Sequence, residues 1–180
     1  INPHFLFNSL NAVYFLIEKS NTEARGALHK FSAMLRYQLY EMNGDKIAIE
    51  KEIGYLKDHV DLQKLGKHEH YAVEINCSED VKGFSVEPLL LVPFVENAFK
   101  HISHHMNRLN FIKINLSMSK GEFQFVVENS KEAIEKATDK HAGIGLNNVQ
   151  RRLELLYPGR HDLKISNEMD IFRVDLRIKI

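Results

Sequence analysis

Apolar positions along roughly the first 65 residues recur at helical spacing. Asn2 is suited to cap a helix and Pro3 to occupy its first position, where the missing N–H costs nothing. Behind them Leu6, Leu10, Val13 and Ile17 fall on one face, and Phe5, Phe7, Tyr14 and Phe15 widen it beyond a single stripe. A helix apolar over so much of its surface needs cover on most sides, which predicts a bundle and a dimer. Ser20-x-x-Glu23 has the form of a capping box and predicts a second helix running to about Tyr40, with Asn43-Gly44-Asp45 ending it. A third helix is predicted from near Glu50 to around Gly66, with Ile53, Leu56 and Val60 at helical spacing.

From residue 71 the period changes to two. Val73, Ile75 and Cys77 alternate with Glu74 and Asn76, as in a half-buried strand. A helix is predicted over Leu89 to His105, just after Pro88. Ile112, Ile114, Leu116 and Met118 then alternate again. Past a turn at Lys120-Gly121, Phe123 to Val127 reads as a more fully buried strand. Residues 130–142 lose periodicity and read as a loop whose length suits a functional or mobile segment. Leu146, Val149, Leu153 and Leu156 predict a helix stopped by Pro158-Gly159. The clearest strand ends the chain, with Phe172, Val174, Leu176, Ile178 and Ile180 alternating with charged residues. The predicted fold is α+β: a helical hairpin within residues 1–66, then an α/β sandwich over 67–180 with helices on one face of a mixed or antiparallel sheet.

Composition narrows the function classes. Apolar residues make up 44% and charged residues 27%, a globular balance. Lys plus Arg equals Asp plus Glu at 24 each, so no overall field favours nucleic acid or a membrane surface. Cys77 is the single cysteine, which excludes an internal disulfide and a Cys-rich zinc site. It reads as a small buried hydrophobe on a strand in a reducing, cytoplasmic setting. No apolar run approaches the ~20 residues of a membrane span. Ile1 is not a start methionine, so the chain is expected to be a piece of a longer protein, with any sensor or membrane anchor upstream.

Several side chains could carry chemistry. On the helix after Pro88, Leu91, Val95, Ala98 and Ile102 form one apolar face, while Asn97, Lys100, His101 and His104 line another. An amide oxygen suits Mg²⁺, and Lys or His suits phosphate oxygens; a solvated polar face with a Glu96–Lys100 pair is the plainer reading. Gly143-Ile-Gly145 opens a helix, where backbone N–H groups can approach an anion. His4 lies near the start of an apolar helix, with Asn8 one turn later on the same face, and a neutral imidazole is a competent nucleophile toward phosphorus. His101 and His105 at i, i+4, together with His68-Glu-His70, raise a transition-metal site as an alternative without an identifiable third ligand.

Their order is more specific than any one of them. Ile1-Asn-Pro-His4-Phe-Leu-Phe-Asn8-Ser-Leu-Asn11 resembles the phosphoacceptor motif of the LytS-like sensor histidine kinases. Pro88-Leu-Leu-Leu-Val-Pro-Phe-Val-Glu96-Asn97-Ala-Phe-Lys100-His101 resembles that family's N box, and Gly143-Ile-Gly-Leu-Asn-Asn-Val-Gln-Arg-Arg152-Leu its glycine box. Ile47-Ala-Ile-Glu-Lys-Glu-Ile-Gly-Tyr-Leu-Lys is similar to its connecting helix. The resemblance implies a Bergerat-type ATP-binding sandwich behind a dimerising hairpin. It implies His4 as phosphoacceptor and Asn97 as ligand of a Mg²⁺ bridging the ATP phosphates, with Glu96, Lys100 and His101 beside it. Gly143 and Gly145 would form the hinge of the ATP lid, with Leu146 among the nucleotide-binding residues, and Arg152 would sit on the lid-side helix. It further implies a homodimer through the N-terminal helices, a response-regulator receiver domain as partner, no nucleic acid, and an inner-membrane anchor upstream of Ile1.

Two departures stand out. Where the family carries an Asp-x-Gly motif that reads adenine, this chain has Val127-Glu128-Asn129-Ser130, leaving Glu128 or Asn129 as acceptor. Where many histidine kinases place an acidic residue after the phosphoacceptor, this chain has Phe5. Asn8 then stands at the spacing to orient the imidazole or a water, and Glu96 is the candidate base. The altered adenine motif also keeps open a degenerate, non-catalytic dimeric signalling module.

Overall fold

A computed structural model describes residues 2–40, 46–65, 71–105, 108–132 and 144–180. Helix α1 (Pro3–Leu16) starts where Asn2 accepts the His4 N–H on its side-chain oxygen at 3.0 Å. Helix α2 (Thr22–Tyr40) is capped one residue later than the Ser20 pattern predicts. Asn21 takes the Ala24 N–H at 3.0 Å, while Ser20 donates to Glu18. Arg25 lies over the Tyr14 ring at 4.0 Å and donates to the Ile17 carbonyl, tying the two helices together at their turn. Their apolar faces remain largely open: no residue of α1 is buried, and Tyr37 is the one buried residue of α2.

The rest of the chain surrounds one core. Short β1 (Ile47–Ala48) pairs antiparallel with β3 (Ser85–Val86), bracketing α3 (Ile49–Lys64) and β2 (Tyr71–Cys77) in sequence. Helix α4 (Val92–Lys100) precedes strands β4 (Asn110–Ser119) and β5 (Glu122–Ser130). Helix α5 (Ile144–Leu156) precedes β6 (His161–Asn167) and β7 (Ile171–Lys179). The five-stranded sheet has the order β2-β4-β5-β7-β6, with β2 parallel to β4 and every other pair antiparallel. Lys120 and Gly121 turn β4 into β5 with φ of 50° and 77°, the left-handed pair that a tight hairpin demands. Period-two alternation puts Ile114, Leu116, Phe123, Phe125, Leu176 and Ile178 on the covered face. Ile53, Leu56, Val95 and Leu153 from α3, α4 and α5 pack into that same core. The α+β sandwich predicted from the pattern is the observed one.

Some elements differ from the sequence expectation. The helix expected over Leu89 to His105 is only Val92–Lys100. Leu89 has φ of 53°, incompatible with a helix start. Past His101 the backbone leaves the helix and is pinned where the Ser103 N–H meets the Ser130 carbonyl at 2.9 Å. Strand β6 gave too weak an alternation to predict: Leu163 is half-buried and Ile165 43% exposed at the sheet's edge. Cys77 is exposed rather than buried, because it ends edge strand β2. Beyond Glu132, the loop expected over 130–142 lies outside the described residues. Among the described residues, no helix is long and apolar enough to cross a membrane.

Candidate functional site

His4 stands in the first turn of α1, exposed to solvent. Its neighbour one turn on is Asn8, whose side-chain nitrogen lies 3.2 Å from His4 Nδ1 and 3.5 Å from Nε2. Helical spacing of four sets this contact. Phe5, at the position where an acid would stand, is 70% exposed.

Helix α4 presents the second group. Leu91, Val95, Ala98 and Ile102 are buried, which turns Asn97 to a half-buried position and leaves Glu96 and Lys100 exposed. His101 caps the helix, its N–H donating to the Asn97 carbonyl at 3.1 Å. The polar stripe therefore holds as far as His101. His104 lies beyond the helix, its N–H bound to Glu132 at 2.9 Å. Glu96 bears on α3, where its charge works against the burial that lowers the His59 pKa and adds to the burial that raises that of Tyr55. Among the described residues no cluster of His, Cys, Asp or Glu is arranged to hold a metal ion, and His68 and His70 lie outside them.

The end of β5 separates its two acceptors by the pleat. Glu128 points to the outer face of the sheet and pairs with Arg173, directly opposite on β7, at 2.7 Å. Asn129 points to the helix-covered face and is 1% exposed. Its side-chain nitrogen donates to the Ser130 carbonyl at 3.0 Å and the His101 carbonyl at 3.4 Å, so β5 and the end of α4 meet there. Its Oδ1 is buried without a hydrogen-bond partner among the described residues. Such an acceptor loses the hydration it had in the unfolded chain and gains nothing in return.

On α5, Gly145 is exposed and a Cβ there would meet nothing within 4 Å, so no packing among the described residues requires a glycine. Leu146 packs against the core, and Gly143 lies outside the described residues. Arg152 turns inward, donating to the carbonyls of Pro88 at 2.6 Å and Leu89 at 3.2 Å. Facing it across that segment is a residue the sequence reading missed. Glu52 of α3 is fully buried and accepts from Leu89, Leu91 and Tyr37. The signal was available: Glu52 lies three residues after Ile49 and four before Leu56, on the apolar face of its helix. An acid there needs donors from elsewhere.

A family model described as Histidine kinase matches residues 1–71. Sensor histidine kinase YpdA of Escherichia coli (strain K12) is 28% identical over 165 residues, 87% of this chain and 29% of that protein. Sensor protein LytS of Streptococcus mutans is 30% identical over 179 residues, 93% of this chain and 30% of that protein. The chain thus spans less than a third of the length of these curated relatives. The histidine kinase domain of the Erythrobacter litoralis EL346 blue-light activated histidine kinase has the same fold. Its TM-score is 0.57 over 98% of this chain and 95% of that one, at 16% identity. Motif order, fold and these matches agree: the chain belongs to the histidine kinase family, as a catalytic region of the LytS/YpdA type.

Proposed function

We propose that this chain is the phosphoryl-transferring portion of a two-component sensor kinase, moving the γ-phosphoryl group of ATP to His4 and from there to an Asp of a response-regulator receiver domain. The observation that carries the reading is the partnerless Oδ1 of Asn129, buried where β5 meets the end of the Asn97 helix. The family's adenine-reading Asp is missing, yet an acceptor remains, and it is Asn129 rather than Glu128, whose carboxylate is taken up by Arg173. Its side-chain N–H groups are already directed at backbone carbonyls, so only the oxygen is left to meet a base. It suits the exocyclic amino group of adenine and opposes the carbonyl that guanine carries there.

Phosphates fall to the remaining residues: the open backbone at Gly145, with Gly143 and Leu146 on either side, and Lys100 and His101 on α4. Asn97 is the residue suited to hold a Mg²⁺, which would supply charge neutralisation at the phosphates. Arg152 supports the segment before α4 and reaches backbone, not solvent.

At His4, Nε2 attacks phosphorus, the Nε2–P bond forms, and the bond to the bridging oxygen breaks, its electron pair leaving with ADP. The imidazole must present a free lone pair at Nε2 and keep its proton at Nδ1 until the bond is made. In the structure the Asn8 amide nitrogen faces Nδ1; a flip of the amide brings its oxygen there, to accept the Nδ1–H and set the tautomer without a neighbouring acid. The proton leaves Nδ1 to solvent as the neutral phosphohistidine forms. Homodimerisation through α1 and α2 is the second part of the proposal, supported by the uncovered apolar faces of both helices.

The test uses ATP labelled at the γ-position with millimolar Mg²⁺. Base-stable, acid-labile label on the wild type, none on His4→Gln, and about a tenfold lower rate for Asn8→Ala, the size of one orienting hydrogen bond, support the reading. No label on the wild type, or no nucleotide bound at millimolar Mg-ATP, would sink it. The non-catalytic signalling module would then stand, favoured by the altered adenine motif at Val127-Glu128-Asn129-Ser130.

A further inference from the structure

The backbone that leads into α4 is held directly by side chains of α3 and of the α5 end, and through Glu52 it is linked to α2. Glu52 of α3 accepts the Leu89 N–H on Oε2 and the Leu91 N–H on Oε1, both at 3.0 Å. Tyr37 of α2 donates its hydroxyl to the same Oε2 at 2.7 Å. On the opposite side Arg152 of α5 donates to the Pro88 and Leu89 carbonyls, and the Tyr157 hydroxyl accepts the Glu87 N–H at 3.1 Å.

Two local facts show why this grip matters. Leu89 sits at φ of 53°, a left-handed conformation that a side chain with a Cβ disfavours and that persists only where its surroundings over-determine it. Leu91 is the N-cap of α4 and offers no side-chain acceptor, so the first N–H groups of the helix lack a cap of their own. The Glu52 carboxylate provides one from another helix, and its negative charge lies at the positive end of α4. A fully buried carboxylate with no ion pair among the described residues depends on its N–H and O–H donors. One of those donors belongs to Tyr37, the buried residue of α2.

We infer that Glu52 is a positioning residue that fixes the seat of α4 and, through the Tyr37 hydroxyl, ties that seat to the position of α2, the helix that follows the one carrying His4. A displacement of α2 that withdraws the hydroxyl leaves the carboxylate one donor short. The left-handed turn at Leu89 then loses its restraint, and α4 with Asn97 shifts or loosens. The same segment is bound to α5 through Arg152, so the change reaches both helices that the proposed nucleotide site uses. The consequence for ATP rests on the function proposed above; the mechanical link between α2 and α4 does not.

Hydrogen exchange of the whole chain, without nucleotide, tests the link. Tyr37→Phe keeps the ring against Tyr55, 4.6 Å away, and removes only the hydroxyl. Amides over residues 87–100 are expected to exchange about tenfold faster, the effect of one hydrogen bond to a charged group, while β5 and β7 amides stay unchanged. Gln38→Ala is the control, because it breaks a 2.7 Å hydrogen bond to Tyr55 between the same two helices without touching Glu52. It should leave residues 87–100 as in the wild type. Glu52→Gln in the Tyr37→Phe background should add nothing beyond Glu52→Gln alone. Unchanged exchange at 87–100 in Tyr37→Phe overturns the inference, as does equal acceleration by Gln38→Ala, which would make the contact ordinary packing. Among variants that take up label, Glu52→Gln should raise the KM for ATP about tenfold with a smaller effect on kcat, a split that general destabilisation does not produce. Equal losses in both would assign Glu52 a merely structural role. A wild type that takes no label defeats the kinase proposal and leaves the exchange result to decide the link.

Discussion

In α1 no residue is buried, and Phe5, Phe15 and Leu16 are 70%, 82% and 84% exposed, whereas Phe123, Phe125, Leu153 and Leu176 of the sandwich are each fully buried. Both regions are rich in apolar side chains; they differ in where the cover comes from. The sandwich closes on itself, with three helices over one sheet face and a polar ladder of Gln124, Glu128, Arg173, Asp175 and Arg177 on the other. The hairpin has cover for one side only and leaves a cleft lined by Leu10, Tyr14, Leu28 and Ala33. A helix pair apolar on most sides and bare on many suits the half-bundle that the proposed dimer would complete. On the proposed function the contrast would separate two jobs: a compact unit that holds the nucleotide, and an assembly surface that carries the exposed imidazole of His4.

The largest effect that separates the two regions is on stability. Phe125→Ala removes a ring packed against Phe94, with centroids 6.1 Å apart, and should lower the unfolding free energy by about 3–5 kcal/mol. Phe15→Ala, on a side chain with little to lose in one protomer, should change it by less than about 0.5 kcal/mol in dilute protein. Urea midpoints on the whole chain measure both. Equal losses would mean that the hairpin and sandwich share one core.

Next in size is assembly. Phe15→Ser with Leu16→Ser removes apolar area that a second copy would cover, at roughly 1.5–3 kcal/mol per side chain fully buried. If α1 packs against its counterpart, the dimer should weaken by about 100-fold or more, read by sedimentation equilibrium, with the sandwich's urea midpoint unmoved. A variant as dimeric as the wild type would place the contact elsewhere.

Much of this contrast could be read from the chain, and the misses have physical causes. Strands β4, β5 and β7 were legible because one covered face imposes a strict period of two. The same alternation places Asn129 with Phe123, Phe125 and Val127 on the covered face and Glu128 opposite, a step open to sequence reasoning. The start of α4 was not legible. Leu89 and Leu90 continue a helical apolar pattern, and only hydrogen bonds from Glu52 and Arg152, 37 and 63 residues away, hold Leu89 out of the helix. Local propensity gives way there to tertiary contact. At α2 the miss was small: Ser20 and Asn21 both make good caps, and which one accepts depends on the turn from α1. The motifs gave the order of the proposed site residues; Glu52 lies within the segment similar to the connecting helix, but its bonds to Tyr37, Leu89 and Leu91 become visible only in the fold.

The smallest expected effect lies at the seam between the two regions. His59 of α3 stacks on Tyr55 at 6.5 Å, and Tyr55 in turn packs on Tyr37 of α2. The imidazole is 8% exposed, and its Nε2 is buried without a partner among the described residues. Burial holds its pKa below the ordinary histidine value, with Glu96 opposing part of that shift. The sign follows from which state takes the proton first. Above about pH 6.5, the ordinary value, His59 is neutral folded or unfolded and contributes no pH dependence. As pH falls below that value the unfolded chain protonates while the folded one resists, so stability declines until the folded pKa is passed and is level again below it. One proton limits the slope to about 1.4 kcal/mol per pH unit. His59→Phe keeps the stack, removes the orphaned nitrogen and should abolish this component. The difference in urea midpoint between variant and wild type, followed from pH 8 to pH 5, cancels the carboxylates common to both. It should be constant above about pH 6.5 and widen in the variant's favour below it. A difference that stays flat throughout would mean that His59 protonates as readily in the folded protein as in the unfolded chain, and that the seam between hairpin and sandwich is wet.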